Sequence, residues 1–185
     1  IYNALKLGIE AFNCESLQEI FVINEMAHHY GVKASISVRI NPDIDAHTHK
    51  YVTTGLYENK FGISQHEFDK LIEIIHKSEH IDFFGLHFHI GSQITRVNEV
   101  FALECQRVNE VVKYFEDNGV TIKNINLGGG LGVDYDDPDG TPIADFKTWF
   151  ETISNNIARR PDQMVHVEPG RSLVAQCGTL ISRVL

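Results

Sequence analysis

The stretch Phe83-Phe84-Gly85-Leu86-His87-Phe88-His89-Ile90-Gly91-Ser92-Gln93 starts as an apolar run too short for a helix and ends in a polar cluster. That is the pattern of a strand buried on both faces that delivers polar groups at its carboxyl end. Three further runs finish the same way. Residues 34–40 lead into Arg39-Ile40-Asn41-Pro42, residues 125–127 into Gly128-Gly129-Gly130, and residues 164–167 into Glu168-Pro169-Gly170-Arg171-Ser172. Residues 11–14 form another short apolar piece, and residues 179–184 are read as one more strand.

Between these strands lie helical patterns. Leu17, Ile20, Phe21, Ile23 and Ala27 share one helical face, with Ser16 as N-cap, Glu19 completing a capping box and Gly31 ending the helix. The spacing predicts further helices over residues 65–77, 100–118 and 146–158, and residues 1–9 read as a helix that stops at Gly8. Two polar stretches, 41–59 and 133–141, exceed what a simple connection needs. Strands that alternate with amphipathic helices imply an α/β fold with parallel pairing. The polar clusters then converge where the carboxyl ends of the strands face an active site.

The 185 residues, 43% hydrophobic and 22% charged, suffice for one sizeable core. A formal charge of -9 disfavours a surface that coats nucleic acid, which needs cations to displace phosphate counterions. No membrane-length apolar run and no signal-peptide pattern is present, so a cytoplasmic protein without membrane or nucleic-acid partners is expected. Cys14, Cys105 and Cys177 are scattered, which supports neither a disulfide framework nor a zinc ribbon.

Each cluster has a bland and a sharp meaning. The three glycines could make only a turn, or could open their backbone to a phosphate. They form neither a dinucleotide fingerprint, since no helix starts until about residue 146, nor a Walker A loop, since no Gly-Lys-Ser/Thr follows. Ser92 and Arg171 could together hold a phosphate dianion, though each alone could be a turn residue or an ion-pair partner. His87 and His89, two apart, point to one face of a strand. A metal held by them with His47 or His49 lacks a dense ligand spacing, and an imidazole packed flat on an aromatic cofactor suits the position better. Pro169 holds Glu168 extended, aiming its carboxylate forward. A phosphate cup, a stacking ring and a carboxylate that can face a pyridinium nitrogen are what pyridoxal 5'-phosphate requires.

At these residues the chain resembles the fold-type III pyridoxal phosphate-dependent decarboxylases of the alanine racemase-like barrel group. The motifs are Arg39-Ile40-Asn41-Pro42-Asp43, Thr48-His49-Lys50-Tyr51, Thr54-Gly55, Lys60-Phe61-Gly62-Ile63, residues 85–93, residues 127–130 and residues 168–172. The resemblance implies a partial (β/α)8 TIM-type barrel of about five consecutive βα units over residues 1–178, with 179–185 starting the strand into a C-terminal β-domain. It implies that His89 stacks on the cofactor ring, and that Ser92 with Gly128, Gly129 and Gly130 binds the phosphate. Glu168 would face the ring nitrogen within the Pro169-Gly170-Arg171 turn, and Arg171 would meet both the phosphate and a substrate carboxylate. Arg39 and Lys60 would lie near the cofactor.

The implied reaction is decarboxylation of meso-diaminopimelate to L-lysine by a homodimeric full-length enzyme acting on a small amino acid. Ornithine/arginine or carboxynorspermidine-type substrates are alternatives, as are a non-catalytic pyridoxal phosphate-binding barrel and a phosphate-binding barrel enzyme without that cofactor. The family's Schiff-base lysine and acid cysteine have no counterpart here, so both would lie outside this chain. Cys14-Glu15-Ser16 imitates the cysteine motif but sits before residues 39–42, and it reads as a strand end followed by a helix cap.

Overall fold

A computed structural model describes residues 1–42, 61–137, 140 and 144–184. Five strands form one sheet in the order β1 (Phe12–Cys14), β2 (Ala34–Arg39), β3 (Ile81–His87), β4 (Asn124–Asn126) and β5 (Met164–His166). Every neighbouring pair is parallel. The helices are α1 (Tyr2–Leu7), α2 (Leu17–Tyr30), α3 (Phe68–Lys77), α4 (Val97–Asp117), α5 (Phe146–Asn156) and the single turn α6 (Arg171–Val174). This is the α/β architecture of five consecutive units expected from the sequence.

Local chemistry sets most boundaries. Ser16 Oγ accepts from Glu19 N while the Glu19 carboxylate accepts from Ser16 N, so α2 starts with both halves of a capping box. Gly8 and Gly31 end α1 and α2 at φ 66° and 64°, a left-handed conformation that costs glycine nothing. The core lies between sheet and helices. Val97, Val100, Phe101, Cys105, Val108, Val112 and Phe115 form one stripe of α4, and Trp149 of α5 meets Phe101 at 5.6 Å between ring centroids.

Two expectations need correction, and one element was not expected at all. α4 begins three residues before residue 100, at Val97, because the stripe extends there although Arg96 supplies no capping side chain. Residues 171–174 form a helical turn that propensity does not announce. Residues 179–184 form no strand: Leu180, Ile181 and Val184 are 96%, 88% and 97% exposed, and among the described residues no strand pairs with them. Apolar composition favours a strand only where a neighbour completes its hydrogen bonds.

Candidate active site

The carboxyl ends of β3, β4 and β5 meet around a turn of three glycines. A Cβ on Gly128 would stand 2.4 Å from Phe88 O, on Gly129 2.1 Å from Glu168 O, and on Gly130 2.4 Å from Gly91 O. Any side chain there would push neighbouring strand ends apart, and φ values of 68° at Gly128 and 103° at Gly130 exclude most other residues as well. The glycines therefore draw three clusters into one place, whatever they bind. Parallel pairing continues past the strands through a bridge between Ile94 and Leu131. Gln93, at φ 60°, anchors this bridge: its amide donates to Val133 O at 2.5 Å and accepts from Val133 N at 3.2 Å.

Arg171 leaves the first turn of α6 and donates to Ser92 Oγ at 3.3 Å and to Tyr135 Oη at 2.6 Å. Its guanidinium also stands 5.8 Å from the Tyr135 ring centroid. The Arg–Ser pair that the sequence suggested is thus brought together, and Tyr135, which the sequence did not single out, braces it. Pro169 and Gly170 carry the chain from Glu168 into that turn, with Gly170 as N-cap. Beside them Gln93, Thr95, Val133, Asp134, Tyr135 and Asp145 line a cavity of about 520 Å³.

Glu168 is half exposed, its side chain 48% accessible. Its Oε1 accepts from Asn126 Nδ2 at 2.8 Å, and its backbone N–H donates to Gly128 O at 2.6 Å. His87 Nε2 stands 3.4 Å from Glu168 Oε2, and among the described residues neither buried His87 ring nitrogen has a hydrogen-bond partner. Burial pushes the His87 imidazole below its ordinary pKa; the Glu168 charge opposes this, and Arg39 and His89 add to it. His89 Nδ1 accepts from Gly129 N at 3.3 Å, which fixes its ring against the glycine turn. Phe88, pointing the other way, is fully buried in the core.

Arg39, at the end of β2, pairs with Glu15 at 2.7 Å and lies 5.3 Å from the Phe61 ring centroid. Cys14 lies 1% exposed in the core, and burial pushes its thiol up to about 12, so it stays protonated as a structural residue. His47, His49, Lys60 and residues 43–59 in general lie outside the described residues. Among the described residues no group of three metal-ligating side chains comes together.

Asn126, like Tyr135, is a site residue that sequence reasoning missed. A signal was present: two asparagines alternate in a strand otherwise apolar, and polar side chains inside a parallel sheet need partners. Taken together, the site offers a guanidinium, a hydroxyl and a glycine turn for an anion, an imidazole for a ring face, and a carboxylate held by Asn126 at the end of β5. This donor set fits a phosphorylated aromatic ring with a basic nitrogen.

Residues 1–175 match the model of the family "Pyridoxal-dependent decarboxylase, pyridoxal binding domain". A diaminopimelate decarboxylase of Bacteroides thetaiotaomicron is 48% identical over 98% of this chain, which covers 47% of that protein. The crystal structure of diaminopimelate decarboxylase from M. jannaschii superposes with a TM-score of 0.80 at 34% identity, covering 95% of this chain and 42% of the other. That of Helicobacter pylori, complexed with L-lysine, gives a TM-score of 0.72 at 35% identity, covering 93% of this chain and 42% of the other. The chain thus spans about half the length of the curated relatives it matches, 47% and 43% for two of them.

Proposed function

The chain belongs to the pyridoxal-dependent decarboxylases, in their pyridoxal binding domain, and from that premise we propose that it forms the cofactor-holding part of an enzyme converting meso-diaminopimelate to L-lysine. The observation that carries this is the meeting of Arg171 with Ser92, and of Glu168 with Asn126, around one glycine turn. Bound there, pyridoxal phosphate supplies a ring that accepts the electron pair released when carbon dioxide leaves the amino acid.

This chain's own residues bind and orient. Arg171, Ser92 and the backbone of Gly128, Gly129 and Gly130 would hold the phosphate, with the guanidinium oriented by its bond to Tyr135 Oη. His89, fixed against the glycine turn, would hold the ring. Glu168 keeps a proton on the ring nitrogen, which maintains the ring's electron demand. Arg171, only partly engaged by Ser92, also meets a substrate carboxylate. Lysine anchorage of the cofactor and proton delivery by a cysteine come from outside this chain, in a full-length homodimer of the cytoplasm. Residues 179–185 lead towards a C-terminal β-domain.

Substitution tests this. In the full-length enzyme, Glu168→Gln keeps the cofactor but lowers lysine formation about a hundredfold or more, the scale of losing a transition-state electrostatic partner. Unchanged turnover would remove the ring-nitrogen role. Arg171→Ala raises both the cofactor dissociation constant and the substrate KM, and no change in either would leave Arg171 a structural residue.

A further inference from the structure

Asn126 is bonded to both halves of the site. Its Nδ2 donates to Glu168 Oε1 and its Oδ1 accepts from Gly128 N, each at 2.8 Å. Those partners fix the orientation of the amide, because a carboxylate only accepts and a backbone N–H only donates. Glu168 N closes the circuit on Gly128 O at 2.6 Å. The Glu168 side chain therefore returns, through Asn126, to the same glycine that its own backbone holds. On its other side Oε2 faces the buried imidazole of His87 at 3.4 Å.

A half-exposed glutamate at the end of a strand would otherwise sample several rotamers. One anchored at Oε1, flanked at Oε2 and bonded through its backbone samples far fewer. We propose that Asn126 is a positioning residue, which holds the Glu168 carboxylate in one orientation and locks it in register with the glycine turn. The role rests on Glu168 serving the cofactor's ring nitrogen, as proposed above. Asparagine meets the need where aspartate or leucine does not: it donates to the carboxylate and accepts from the amide at once, and it adds no charge to compete with Glu168.

The test uses the full-length enzyme and four variants: Asn126→Asp, Asn126→Ala, Glu168→Gln and the swap N126D/E168Q. Asn126→Asp keeps an acceptor for Gly128 N but faces Glu168 with a second carboxylate. Asn126→Ala loses both bonds and brings no charge, and it serves if the aspartate variant does not fold. The measurements are the dissociation constant for pyridoxal phosphate, the absorbance of the bound cofactor against pH, kcat with KM, and the melting temperature.

For Asn126→Asp the expected result is a cofactor affinity within about threefold of wild type, a displaced absorbance curve and a kcat at least about tenfold lower at similar KM. Asn126→Ala should lower kcat similarly and also weaken cofactor binding. In the swap, donor and acceptor are exchanged across the same contact, so its melting temperature should recover most of what Asn126→Asp loses, while kcat stays at the level of Glu168→Gln. Additive losses in the swap, or a wild-type absorbance curve and kcat in both Asn126 variants, would overturn the positioning role while leaving Glu168's intact. Wild-type turnover in Glu168→Gln would instead remove Glu168's role, and that of Asn126 with it.

Discussion

His87 is buried beside a carboxylate, yet burial prevails and its imidazole stays below the ordinary pKa of about 6.5. The sign of the resulting pH dependence follows from proton counts. As pH falls through that value, the unfolded chain takes up a proton that the folded one still refuses, so folding stability declines with acidification. His87→Gln removes the group, and its melting temperature should fall less than that of wild type between about pH 7.5 and 5. Parallel curves would show that His87 does not titrate differently in the two states. The residues themselves were the most legible part of the site: Ser92, His89, Glu168 and Arg171 stand out as polar side chains at strand ends. Asn126 and Tyr135 did not, because their importance lies in partners some 40 residues away that only the folded chain supplies.

At the scale of elements, α4 carries the least expected feature. Glu104 is fully buried on the apolar stripe, and among the described residues neither of its oxygens has a hydrogen-bond partner. Burial raises its carboxyl pKa well above the ordinary value of 4.5, so the folded chain keeps a proton that the unfolded chain releases as pH rises. Stability should therefore be lost with rising pH on this account, and Glu104→Leu should stabilise by about 1–3 kcal/mol at neutral pH, with a larger gain at pH 8 than at pH 5.5 in urea unfolding. A loss of stability would mean that the carboxyl has a partner. Gly129→Ala is expected to do the opposite. Its Cβ would meet Glu168 O at 2.1 Å, parting β4 from β5, costing about 1–3 kcal/mol and weakening cofactor binding together, both readable in one melting series with and without pyridoxal phosphate. Caps and periodicity made most of these elements legible, as at Ser16 and Gly31. The start of α4 was not, since Arg96 gives no cap signal, and residues 179–184 look like a strand only until the absence of a neighbouring strand among the described residues is seen.

For the molecule as a whole, five parallel strands in sequence order deliver their polar ends to one side, which is why motifs scattered between residues 87 and 171 can serve a single ligand. The outer strands β1 and β5 have one unpaired edge each among the described residues, so the isolated chain is expected to self-associate, and a monodisperse monomer by light scattering would contradict this. No described helix is long and apolar enough to cross a membrane. The decisive measurement is a titration of the full-length enzyme with pyridoxal phosphate, followed by absorbance and repeated with Arg171→Ala and with inorganic phosphate as competitor. Saturable binding that phosphate competes away, and that Arg171→Ala weakens about tenfold or more, is the expected result. Binding indifferent to both, or no saturable binding, would contradict a phosphate cup formed by Arg171, Ser92 and the three glycines.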